Sequence, residues 1–335
     1  MTNQPSRPAP RQRVLSGVQP SGALHIGNYF GAIKQHIELQ DDFPGEAFYF
    51  IADYHALTTT QDQKLLRQRT LDVALDYLAL GLDPEKATFY RQSDVPQVAE
   101  LTWILSTVAG FGELERAVSF KDKVAQGIRP TVGLFLYPVL MAADILAPRS
   151  TMVPVGEDQV QHLEITRAIA RSFNTTYKTR IFPEPRVRLN DAAIVPGLDG
   201  QKMSKSYDNT IPIFLTDAEL KQKVARIKTG STPMGQPLDP ENDTVFALYR
   251  LVASPEAVET LRQEYRAGSI GYGGAKERLR EAIAAYFGPF RAKREELQNN
   301  LEYVDEVLHT GAERAGREIR ETVQLVRDAV GLNRA

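Results

Sequence analysis

Short β-rich runs punctuate the first two hundred residues at Val14–Val18, 47–52, 87–92 and 151–155, with helical patterns between them. Residues 63–80 show the helical spacing, with apolar side chains at Leu66, Val73, Leu75, Leu78 and Leu80. Strands that alternate with helices predict an α/β fold, a doubly wound parallel sheet with helices on both faces. After Phe214 the pattern changes. Thr216 and Glu219 form a capping box, and Ser254-Pro255 reads as an N-cap followed by proline at the first helical position. Helical patterns then run over 257–266, 275–286, 290–308 and 312–330, with no strand of comparable strength. Two regions are expected: an α/β domain over 13–212 and a helical region over 213–335, its last helix packing back on the first domain.

Composition excludes several chemistries. The chain of 335 residues has no cysteine, so a disulfide framework, a cysteine zinc site and a thiol nucleophile are ruled out. The five histidines, at 25, 36, 55, 162 and 309, share no metal-ligand spacing. The most apolar stretch, 131–147, is interrupted by Pro138 and Asp144, which argues against a membrane span. Residues 1–12 lack the apolar core of a signal peptide and have the composition of a disordered tail; a cytoplasmic protein is expected. Forty Lys and Arg stand against forty-two Asp and Glu, so bulk charge predicts no nucleic-acid partner. Any such contact needs local patches, and two candidates exist: Lys221, Lys223, Arg226 and Lys228, and Arg291, Lys293 and Arg294.

Two motifs carry chemistry. The first β run ends in Gly17, Gln19, Ser21 and Gly22, and a helix follows from His25. In a doubly wound sheet this turn lies at the carboxyl ends of the strands, where ligands bind, and N–H groups at a helix start favour phosphate. Gly27 permits close approach of a nucleotide ring, and His25 and Asn28 offer donors to phosphate oxygens. A plain tight turn is the competing reading. The second motif, Lys202-Met203-Ser204-Lys205-Ser206 after Gly197 and Gly200, is a polar loop that can fold over a triphosphate, the glycines supplying flexibility. A solvated surface loop is its alternative. Tyr137, Met141 and Asp144 fall at i, i+4 and i+7 on one helix face. A carboxylate among apolar neighbours is costly unless paired, and an indole N–H is a donor it can accept. A capping or arginine-paired aspartate would satisfy the same sequence.

The pair formed by His25-Ile26-Gly27-Asn28 and Lys202–Ser206 resembles the signature of the class I aminoacyl-tRNA synthetases. The stretches 16–22, 112–116, 141–146 and 153–159 narrow the resemblance to the tryptophanyl branch, and it runs from about Val14 to the C-terminus. It implies a Rossmann-like catalytic domain, a helical anticodon-binding region, and a homodimer that joins L-tryptophan to tRNA(Trp) with ATP and Mg²⁺ but without zinc. Lys202, Lys205, Lys123, His25 and Asn28 are the implied catalytic residues. Gln19, Ser21, Gly22, Gly27, Gly156, Asp158, Met203 and Ser204 join them around ATP. Leu15, Gln19, His55, Tyr137, Met141, Asp144, Val153, Val155 and Gln159 are implied around tryptophan. Leu15 lies where some family members have an aromatic residue, which leaves the pocket shape open. Trp103 is expected in the core or at a subunit interface. The competing functions are a tyrosine-specific sister enzyme and a catalytically weak paralogue that binds tRNA or protein.

Overall fold

The computed structural model describes residues 12–117, 125, 127, 129–156, 159–189 and 194–333. The expected tail, Lys123 and Asp158 fall outside the described residues, apart from Gln12. Five parallel strands form one sheet: β1 (Val14–Val18), β2 (Ala47–Ile51), β3 (Ala87–Arg91), β4 (Met152–Val155) and β5 (Arg186–Leu189), in the order β3-β2-β1-β4-β5. β2 is buried along its whole length, Ala-Phe-Tyr-Phe-Ile, as a central parallel strand covered on both faces should be. Side chains alternate between two cores. Tyr49 and Ile51 point to one, and Phe48 and Phe50 to the other with Leu15 and Val153. β5 is not among the strands expected from sequence because it is an edge strand whose Arg-Val-Arg-Leu run is half exposed, so it lacks an apolar signature.

The chain builds β1, β2 and β3 to one side and then returns to β4 on the other. β1 therefore pairs with both β2 and β4. That reversal opens a crevice at the carboxyl ends of β1 and β4, the place where such sheets take ligands.

The helical region shares a core with one sheet face. Phe246, Leu279, Ile283 and Phe287 join Tyr49, Phe89 and the buried face of the Gln63–Ala79 helix. Two expected helices merge here. The Tyr272–Gln298 helix runs through Pro289, although an interior proline costs about 3 kcal/mol. Burial of Leu279, Ile283 and Phe287 along one stripe offsets that cost. The expected helix over 290–308 instead breaks at Asn299 and Asn300, and Asn300 caps the final helix, Leu301–Val330, by accepting from Tyr303 N.

That final helix crosses β3. A Cβ on Gly311 would overlap the carbonyl oxygen of Phe89, so only glycine lets the helix sit this close. The buried Arg13 ties the same helix to the sheet, donating from Nε to Glu46 at 2.8 Å and from Nη1 to Glu318 at 3.0 Å. Trp103 is 72% exposed, so it does not pack in the core of this chain. Among the described residues, no helix is long and apolar enough to cross a membrane.

Candidate active site

The first turn is closed by reciprocal capping. His25 Nδ1 accepts from Asn28 N at 3.2 Å, and Asn28 Oδ1 accepts from His25 N at 3.1 Å. Burial, then the nearby charge of Lys205, lowers the His25 pKa to about 4, so the ring is neutral at pH 7. Because Nδ1 accepts, the proton sits on Nε2. A neutral ring with a fixed N–H donor is what a phosphate oxygen can use. Asn28 keeps its amide NH₂ as a second donor.

The two motifs are stitched together. Ile26 N donates to Ile211 O and Ile213 N to Leu24 O, which clamps the turn to the segment following the lysine loop. Met203 is buried and its sulfur accepts from Gly27 N at 3.3 Å. Lys205 Nζ donates to Gly22 O at 2.8 Å and Ser21 Oγ at 3.3 Å. Lys202 is exposed, with no side-chain contact to this turn among the described residues. Lys205 therefore reaches across from its loop to the first turn, and Lys202 makes no hydrogen bond to it among the described residues.

The glycines of the second loop act differently from the expectation. A Cβ on Gly197 would overlap the side chain of Asn209, and Gly200 holds a left-handed φ of 84°. They provide close packing and a turn rather than looseness. Asn209 was not singled out from the sequence. It is buried, accepts from Ser204 N at 2.8 Å and donates to Asp199 at 2.8 Å and Lys202 O at 3.1 Å, fixing the loop's shape.

Beside this turn lies a cavity of about 440 Å³. Leu15, Gln19, His55, Tyr137, Met141, Asp144, Val153, Val155 and Gln159 all line it, together with Gly156. Tyr137, Met141 and Asp144 do share a face of the Val132–Leu146 helix. Asp144 is buried; Gln92 Nε2 donates to both its oxygens at 2.8 and 2.9 Å, and His55 Nε2 lies 2.9 Å from Oδ2. Burial raises the Asp144 pKa, and the His55 and Gln92 contacts oppose that shift. A carboxylate has about four acceptor directions, so one stays available to a ligand donor.

Four residues in or behind this wall were not predicted: Phe50, His36 and His162 line it, and Gln92 is buried behind it. Gln92 follows β3 and grips Asp144. His162 holds Tyr137 OH at 2.8 Å. Phe50 lies against Gly17, where a Cβ would meet its ring at 2.5 Å, and supplies an aromatic wall although Leu15 does not. His36 lines the same cavity, stacks on Tyr49 and lies 3.2 Å from Ser16 Oγ. Each comes from an element distant in sequence and carries no local motif.

Burial lowers the His36 pKa to about 4. The unfolded chain, with an ordinary histidine, binds more protons between pH 6.5 and 4. Stability from this group is therefore complete above 6.5 and is lost as pH falls toward 4. Between pH 7 and 4.5 the His36→Phe variant should lose about 2 kcal/mol less unfolding free energy than the parent. Urea denaturation at the two pH values measures this; equal losses in both proteins would refute it.

Known proteins share this sequence and fold. Residues 8–288 match the family model described as tRNA synthetases class I (W and Y), so the chain is a class I synthetase of that group. A tryptophan–tRNA ligase of Fusobacterium nucleatum is 51% identical over 323 residues, covering 96% of this chain and 98% of the relative. A Campylobacter jejuni ligase of the same name is 47% identical over 321 residues, covering 96% of this chain and all of that one. The crystal structure of tryptophanyl-tRNA synthetase from Campylobacter jejuni complexed with ADP and tryptophan has a TM-score of 0.92 and 46% identity, covering 96% of this chain and 100% of that chain. The chain belongs to the tryptophan–tRNA ligase family.

Proposed function

We propose that the cavity beneath β1 and β4 receives the indole of L-tryptophan, and that the 19–28 turn with the 202–206 loop receives ATP. The observation that carries this reading is the buried Asp144 carboxylate, held by His55 and Gln92 and lining the cavity. A largely apolar wall holding a fixed carboxylate suits a flat ring bearing one N–H.

The reaction has two steps. A tryptophan carboxylate oxygen attacks the α-phosphorus of ATP, the bond to the β-phosphate oxygen breaks, and pyrophosphate leaves. A hydroxyl of the terminal tRNA ribose then attacks the acyl carbon, and AMP leaves. Neither step needs a protein nucleophile, so positioning and charge stabilisation carry the rate. Gln19, at the mouth of the cavity after β1, faces the junction of carboxylate and α-phosphate. Gly156 and Gln159 follow β4 and line the same mouth; Asp158 is assigned beside them to the ribose. His25 Nε2 and the Asn28 amide hold phosphate oxygens, and Ser21, Gly22 and Ser204 border the phosphates. Gly27 and Met203 border the adenine. Lys205, Lys202 and Lys123 draw charge from the leaving pyrophosphate, with Mg²⁺ entering as part of the ATP substrate.

Residues 13–212 form the catalytic domain in this reading and 213–335 the region that meets the anticodon of tRNA(Trp). Lys221, Arg226 and Lys228 are exposed there, whereas Lys293 and Arg294 are paired with Glu296, Asp72 and Asp76. The first cluster is the better RNA contact. Trp103, Phe111 and Val132 are exposed on helices that pack together, which suits a homodimer. The enzyme works in the cytoplasm.

Amino-acid-dependent ATP–pyrophosphate exchange tests the proposal. Tryptophan should support exchange and tyrosine and phenylalanine should not. Equal exchange with tyrosine would overturn it.

A further inference from the structure

Arg69 lies on the Gln63–Ala79 helix and belongs to neither motif. It is half-buried, and its Nη1 donates to Thr60 Oγ1 at 3.4 Å. No carboxylate pairs with it among the described residues. Its Nε is 4.0 Å from the point that a Cβ on Gly22 would occupy, and Lys205 Nζ is 3.9 Å from the same point. Two cations therefore converge on one glycine of the first turn. The acid in electrostatic reach of Lys205 is Asp76. Its carboxylate is already held by Arg294 at 2.5 Å, and the same guanidinium holds Asp72 at 2.9 Å. That network leaves the cation pair without a matched anion. Burial, and then the positive charge of Arg69, lower the pKa of Lys205. Like charges crowded in this way favour an anion that can bridge them.

We propose that Arg69 is a further cation of the nucleotide site, binding with Lys205 the β- and γ-phosphates of ATP and the pyrophosphate they become. This rests on the assignment of the 19–28 turn to ATP. As the bond between the α-phosphorus and the bridging oxygen breaks, negative charge grows on the leaving group. A planar guanidinium meets two phosphate oxygens with two parallel N–H donors, a fixed fork that a lysine ammonium lacks. Thr60 acts as a positioning residue, holding the guanidinium toward Gly22.

Exchange kinetics on Arg69→Gln, Arg69→Lys, Thr60→Val and Lys205→Ala test the assignment. Arg69→Gln should raise KM for both ATP and pyrophosphate by about tenfold, the loss of one charge-assisted contact, and leave KM for tryptophan within about twofold. Arg69→Lys should recover part of the loss. Thr60→Val should move the same two constants in the same direction by a smaller factor. Unchanged pyrophosphate affinity in Arg69→Gln, with ATP and pyrophosphate constants raised in Lys205→Ala, would overturn the role of Arg69 alone. If Lys205→Ala also left both constants unchanged, the assignment of the turn to ATP would fall with it. An Arg69→Gln defect confined to tRNA charging, with exchange intact, would also overturn the role, placing Arg69 against the tRNA instead.

Discussion

Asp144→Asn should lower kcat/KM for tryptophan by about 10³-fold while KM for ATP stays nearly unchanged, because a buried polar site left mismatched costs several kcal/mol. The carboxylate accepts from Gln92 and His55 and keeps a direction for the ligand. Asparagine offers one oxygen where two are used, and turns an NH₂ toward donors. The parent site should reject phenylalanine by about 10⁴–10⁵, since that ring leaves the acceptor unpaired. The variant should lose most of this discrimination, because neither amino acid then finds a matching partner. Exchange rates with the two amino acids measure both effects. An Asp144→Asn enzyme that rejects phenylalanine as well as the parent does would remove the indole bond from the mechanism.

The second large effect is expected at the lysine loop, where Lys205→Ala should slow tryptophan activation by about 10²–10³-fold, the usual loss for one preorganised group facing developing charge. Tryptophan affinity should change little. Lys205 and Lys202 should also differ. Lys205 already touches the turn through Gly22 and Ser21, so its loss should raise KM for ATP as well. Lys202 is exposed and reaches the phosphates only if the loop moves over them. Its replacement by alanine should therefore act mainly on kcat. Single-turnover formation of tryptophanyl-adenylate separates the two. Unchanged activation in both variants would refute the role of the loop.

The parts of the site legible in the sequence were those written locally. His25 to Asn28 and Lys202 to Ser206 are contiguous, and Tyr137, Met141 and Asp144 show helical spacing. The first four strands, β1 to β4, were likewise legible from apolar runs, whereas β5 hid its role behind two arginines. Gln92, Phe50, His36 and His162 were not legible because each acts through a partner far along the chain: Gln92 through Asp144, Phe50 through Gly17, His36 through Ser16, His162 through Tyr137. The glycines of the lysine loop misled for the same reason. Gly197 looks like flexibility until Asn209 is seen packed against it. The helical patterns over 275–286 and 290–308 looked separate, but the buried stripe of Leu279, Ile283 and Phe287 carries one helix through Pro289.

The contact between Gly311 and the backbone of β3 also bears on how the chain is made. β3 is made long before the Leu301–Val330 helix that covers it. Its flank stays open until that helix has been made. Closing so long a loop is slow relative to local helix formation, and during that interval an edge strand can recruit another chain. The final helix thus sets a time window in which the nascent enzyme is most prone to aggregate, and a chain released before that helix is made could never close it.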